Sequence, residues 1–88
     1  RDVRSALQQI ERALAIDPAS APAWTALGAA RHAAGGRNEA AAAFEKAIAA
    51  DPASAPAYIA AASYYWASGD LRRAESALER AVALEPSN

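Results

Sequence analysis

Apolar and small side chains recur along this chain three or four residues apart, in five blocks divided by short polar clusters. Leu7, Ile10 and Leu14 form the first stripe. Trp24, Leu27, Gly28 and Arg31 follow i, i+3, i+4, i+7 spacing, and Tyr58, Ala61, Ala62 and Tyr65 repeat it. Two further stripes are Ala40, Phe44, Ala47 and Ala74, Leu78, Ala81. Such spacing places each set on one side of an α-helix, the side that must be buried. The pattern predicts five helices, roughly Val3–Ile16, Pro22–Ala34, Asn38–Ala50, Pro56–Ser68 and Leu71–Leu84.

The clusters between the blocks carry their own start and stop signals. Ser20 and Ser54 can cap helices whose first turns contain Pro22 and Pro56, where the missing proline N–H costs nothing. Gly35-Gly36 and Ser68-Gly69-Asp70 end those helices, and Asn38 and Asp70 are candidate caps for the next ones.

The blocks are also copies of one another. Asp-Pro-Ala-Ser-Ala-Pro-Ala occurs at Asp17–Ala23 and again 34 residues later at Asp51–Ala57, and Glu-Pro-Ser begins a third copy at Glu85. The same offset links Ala6, Ala40 and Ala74, then Ile10, Phe44 and Leu78, then Ala13, Ala47 and Ala81. It also pairs Trp24 with Tyr58 and Gly35 with Gly69. Several independent columns on one offset define a repeat, and such units stack side by side to bury a continuous core.

Trp24, Leu27, Gly28, Ala40, Phe44, Ala47 and Pro52 stand in the order and spacing of the tetratricopeptide signature, which this sequence resembles. Arg31 occupies the column where that family usually has tyrosine. The second unit matches through Tyr58, Ala61, Ala62, Tyr65, Ala74, Leu78, Ala81 and Pro86, more weakly at the leucine and glycine columns. The resemblance covers the whole chain as one domain over residues 1–88: a half repeat of one second-type helix (1–20) and two full repeats (21–54 and 55–88). It implies an all-α fold, a right-handed α-solenoid of antiparallel helix hairpins. The alanine-rich style looks like that of repeats from bacteria. Because the chain opens on a second-type helix, a piece of a longer array is expected, with Val3, Leu7 and Leu14 at one end and Val82 and Leu84 at the other partly uncovered.

Composition narrows the function classes. Hydrophobic residues make up 53% of the chain, most of them alanine, which favours helix and lets helices approach closely. The formal net charge is −1 with no basic run, which gives a nucleic-acid contact nothing to rest on. There are no cysteines and one histidine, His32, so neither a thiolate nucleophile nor a Cys-based zinc site can be placed. No Ser-His-Asp set and no calcium-loop spacing is present, and Gly35-Gly36 reads as a turn rather than a phosphate cradle. The expectation is no enzyme, no catalytic residue, no cofactor and no metal. The longest uncharged stretch, Pro52 to Gly69, contains two prolines and is broken by a turn, so no membrane insertion is expected. Cytoplasm and periplasm stay equally open.

In the resembled family, first-type helices line a concave groove that takes an extended or helical peptide. Thr25, Ala29 and His32 share a face one turn from the core stripe of the first such helix, and Ile59, Ser63 and Trp66 share it in the second. The resemblance makes those six residues the candidate peptide-binding groove. Between Pro22 and Ala34 the only formal charge is Arg31, and between Pro56 and Ser68 there is none. Glu39, Glu45, Lys46, Arg72, Arg73, Glu75, Glu79 and Arg80 sit on second-type helices and read as a solvated convex face. Related chaperone cofactors grip an acidic peptide terminus with lysine and asparagine, which these groove positions lack, so that activity is not carried over. Trp66 is the expected anchor, Trp24 a buried residue and Tyr64 an inter-helix packing residue. Two readings follow: a scaffold binding a protein or peptide in a neutral, aromatic groove, or an assembly or regulatory segment of a larger bacterial enzyme or of a secretion or envelope complex. In the second, the array packs on its own chain or self-associates through uncapped repeat ends.

Overall fold

A computed structural model describes residues 3–84 of the 88-residue chain. The described residues form α1 (Val3–Ile16), α2 (Ala21–Ala33), α3 (Arg37–Ala50), α4 (Ala55–Ala67) and α5 (Leu71–Leu84), and none of them lies in a strand. The helices α2 and α3 pack most extensively as one hairpin and α4 and α5 as the next, while α1 lies against α2, α3 against α4, and α2 against α4. The stack measures 34 × 27 × 20 Å.

Each Asp-Pro-Ala-Ser turn is closed locally, which is why it recurs unchanged. The Asp17 and Asp51 carboxylates accept hydrogen bonds from the backbone N–H two residues on, at Ala19 and Ala53, both 3.1 Å. Ser20 and Ser54 then cap α2 and α4 by accepting from Ala23 N–H and Ala57 N–H. A serine cap of this kind contributes about 1 kcal/mol. With serine at the cap, proline falls at the second helical position, so both helices begin one residue earlier than their prolines. At the other end, Gly35 and Gly69 take φ of +89° and +84°, a left-handed conformation that glycine adopts without a Cβ penalty. Asp70 caps α5 by accepting from Arg73 N–H at 3.2 Å. Asn38 does not cap α3: the helix starts at Arg37, and Gly36 holds the cap position without a side-chain bond.

The core is built mainly from alanine. Ala40, Ala47, Ala57 and Ala61 are fully buried, and Phe44 is the one large side chain among the described residues that is completely enclosed. Phe44 joins Ala40, Ala61 and Tyr64 between the two hairpins, while Ala55, Tyr58, Ala62, Ala77 and Ala81 form a second cluster inside the last hairpin. The structure corrects the expectation for several stripe residues. Trp24 is only half-buried, its Nε1–H donating to the Pro18 carbonyl at 2.8 Å and Lys46 Nζ lying 4.9 Å from its ring centroid. Leu27, Arg31, Tyr65 and Ile10 are half-buried as well, and Leu78 is 48% exposed, whereas Leu7 and Leu14 are half-buried, partly uncovered as expected at that end. Val82 is exposed as expected at that end, and Leu84 is half-buried against the second cluster. The side chain of Val3 lies outside the described residues.

Candidate functional site

The six groove candidates fall into two environments. On α2, Ala29 is exposed, but Thr25 is half-buried and its hydroxyl donates back to the Ala21 carbonyl at 2.8 Å, which spends its donor inside the helix. His32 is half-buried too, its ring meeting the Tyr64 ring edge-on at a centroid distance of 5.3 Å. On α4, Ile59, Ser63 and Trp66 are all exposed, Ile59 by 48% and Trp66 by 68%.

Tyr64 is the residue that ties the first hairpin to the second. It is buried, its ring lies 5.5 Å from that of Phe44 and 5.4 Å from that of Tyr65, and its hydroxyl donates to the Arg37 carbonyl at 2.9 Å. The packing role expected for Tyr64 is the one it has. Beside it, burial raises the Tyr65 phenol above its ordinary value, and the Arg73 guanidinium works in the opposite direction. The guanidinium carbon of Arg73 lies 5.8 Å from the centre of that ring.

Trp66 opens onto different ground from its five companions. It lines a cavity of about 710 Å³ whose other walls come from α5: Leu71, Ala74, Leu78 and Val82, with Glu75 and Glu79 among them. None of the other five groove candidates lines that cavity. Its volume is in the range of a small-molecule or side-chain pocket, with a mainly apolar lining. Nothing in the order of residues announced it, because Leu78 reads as core and Val82 as an end rather than as a wall. The repeat offset is the signal that could have found it, since Trp66, Leu78 and Val82 stand one repeat after His32, Phe44 and Ile48.

The charged residues of the second-type helices are all exposed, as a solvated face requires. Lys46 over Trp24 recurs one repeat later as Arg80, whose guanidinium carbon lies 6.0 Å from the centre of the Tyr58 ring. Each such pair at an exposed site contributes about 0.5–1 kcal/mol and covers an aromatic edge with an aliphatic stem. The described helices include none long and apolar enough to cross a membrane. No group of three or more His, Cys, Asp or Glu placed to hold a metal ion occurs among the described residues.

No curated protein matches this sequence. The tetratricopeptide repeat family model matches residues 31–88, which takes in most of the first full hairpin and all of the second. With the 34-residue period, the stacked hairpins and the alanine, glycine and aromatic columns in their places, the chain belongs to the tetratricopeptide repeat family.

Proposed function

We propose that this chain is a protein-interaction scaffold that takes a peptide or protein segment along the face formed by Ala29, His32, Ile59, Ser63 and Trp66, with Thr25 shaping its floor. Tetratricopeptide repeats generally mediate protein–protein interaction, and a non-catalytic scaffold is their typical role. The observation that carries the reading is the exposure of Ile59 and Trp66, two turns apart on α4, a helix with no formal charge. An exposed tryptophan is an anchor for an apolar side chain, with a branched aliphatic residue two turns away and small residues between them to admit the ligand backbone. Covering about 150–250 Å² of indole at about 25 cal/mol per Å² supplies roughly 4–6 kcal/mol before ordering costs.

Peptide display against the full chain, followed by calorimetry on the selected peptides, tests this. Trp66→Ala should weaken binding about tenfold or more, Ile59→Ala should weaken it less, and added salt should change it little. Affinity that survives both substitutions, or that collapses with salt, overturns the proposal.

A second reading, an assembly segment packing on a larger protein, is favoured by the apolar cavity between Trp66 and α5. The two readings share Trp66 but differ at Ile59 and Leu78.

A further inference from the structure

A second cavity, of about 200 Å³, is lined by α3, α4 and α5 together and shares no residue with the groove face. Ile48 of α3, Tyr58 and Tyr65 of α4, and Arg73, Ser76 and Arg80 of α5 line it. The two tyrosines stand two turns apart on α4, and the two arginines two turns apart on α5. Each ring therefore has its own guanidinium, Arg80 at 6.0 Å from the centre of Tyr58 and Arg73 at 5.8 Å from that of Tyr65.

The two ends of this cavity differ in charge. At the Tyr65 end carboxylates are already present: Asp70 Oδ2 lies 3.4 Å from Arg73 Nε, and Glu45 acts on the Tyr65 phenol. At the Tyr58 end, Arg80 forms no ion pair among the described residues. Tyr58 is only 8% exposed, yet its hydroxyl makes no hydrogen bond to any described residue. A buried tyrosine normally gives its hydroxyl a partner, as Tyr64 does at the Arg37 carbonyl. Every fully buried side-chain oxygen or nitrogen among the described residues has one, so the Tyr58 hydroxyl stands at the open edge. Ser76 lies one turn before Arg80, and its hydroxyl, unlike that of Thr25, is not spent on its own helix. One guanidinium and two hydroxyl donors thus line this end without an acceptor among the described residues.

The repeat shows that this set is neither a general feature of the unit nor a result of its place in the stack. One repeat earlier, the columns of Tyr58, Arg73 and Ser76 hold Trp24, Glu39 and Ala42, and the Trp24 donor is spent on the Pro18 carbonyl. Glu39, Ala42 and Lys46 are exposed with the second hairpin in place, so this side of a second-type helix stays open when another hairpin follows.

We propose that Arg80, with the Tyr58 and Ser76 hydroxyls, binds one carboxylate on an aliphatic stem, the glutamate side chain of a partner protein. The guanidinium and the two hydroxyls donate to the carboxylate oxygens, and Ile48 and the Tyr58 ring meet the stem. A phosphoryl group carries about −1.5 to −2, more than the single uncompensated cation here matches, and Glu45 stands near enough to repel it. The site goes beyond the groove reading and does not depend on it.

The probe is glutamate blocked at both backbone ends, titrated into the isotope-labelled full chain while amide and arginine side-chain signals are followed by NMR. Blocked glutamine supplies the same shape without charge, and blocked phosphoserine supplies the other oxyanion. Saturable shifts are expected at Tyr58, Ser76 and Arg80 with glutamate and not with glutamine. Arg80→Gln should weaken them about tenfold, Tyr58→Phe less, and salt should weaken them too, while Trp66→Ala leaves them unchanged. Tyr58→Phe keeps the buried ring, and the amide spectrum of each variant checks that the fold is intact. Absence of saturable shifts overturns the proposal, as do shifts that blocked glutamine reproduces or that Arg80→Gln leaves at full strength. Equal shifts at Lys46 overturn it in favour of unspecific charge screening. Saturation by phosphoserine alone overturns it in favour of a phosphorylated partner.

Discussion

A Cβ placed on Gly28 would stand 2.7 Å from Cε1 of Phe44, inside any distance that two such carbons tolerate. On the buried side of α2, the Phe44 ring of α3 fills the room that the missing side chain of Gly28 leaves. One repeat later the pair is Ala62 and Leu78: a larger residue on the first-type helix faces a smaller one on the second. The two columns thus trade volume against each other across the hairpin.

Gly28→Ala sets a gain against a loss. Alanine in a helix interior is favoured over glycine by about 0.8–1.0 kcal/mol, whereas overpacking a dense core costs about 1–3 kcal/mol. Phe44 has no space to retreat, being enclosed by α4 on its other side, so overpacking wins and the variant should be less stable by about 1 kcal/mol. Combined with Phe44→Leu, which recreates the pairing of the second repeat, Gly28→Ala should cost less than it does alone. Urea unfolding of the four chains forms the double-mutant cycle, and additive effects would show that the two residues do not share one space.

Tyr64 joins the hairpins through its hydroxyl as well as its ring. Tyr64→Phe keeps the ring contacts with Phe44 and His32 but leaves the half-buried Arg37 carbonyl without that donor. A loss of about 0.5–1.5 kcal/mol is expected, accompanied by faster amide exchange in the first turns of α3. An unchanged unfolding midpoint would mean that water replaces the bond at no cost.

Alkaline stability carries a contribution from Tyr65. Burial raises its phenol in the folded chain, Arg73 pulls the other way, and Glu45 and Tyr64 add to the rise. Below the unfolded value of about 10 both states hold the proton and the contribution is complete. Above it the unfolded chain releases the proton first, so stability falls as pH climbs through the folded value. Tyr65→Phe should therefore show a shallower loss of thermal midpoint above about pH 10 than the parent chain. Equal slopes in the two chains would rule out a Tyr65 contribution.

Much of this architecture is local and therefore legible in the order of residues. Asp17, Ser20 and Gly35, with Asp51, Ser54 and Gly69 one repeat on, act on their own neighbours within a few positions, so turn and cap chemistry is written where it operates. The 34-residue period and the helical spacing of Ala40, Phe44 and Ala47 follow from the same short-range logic, and five helices could be drawn from them to within a residue or so at each end. Asn38 misled because a glycine already held the cap two residues earlier.

Burial is another matter, because it depends on what stands across from a residue rather than on what precedes it. Phe44 and Leu78 occupy one column, yet one is sealed and the other half open. His32 and Trp66 share a column as well, and only His32 meets an aromatic ring from the next hairpin. Trp24 and Tyr58 differ in the same way, since the larger indole reaches out to the Pro18 carbonyl while the phenol ring is buried. The sequence by itself determined the repeat, its helices and their caps, all set by spacing and short-range bonds. Only the tertiary structure decided which copy of each column is covered, since a side chain is buried by its spatial neighbours and equal positions in the repeat do not have equal neighbours.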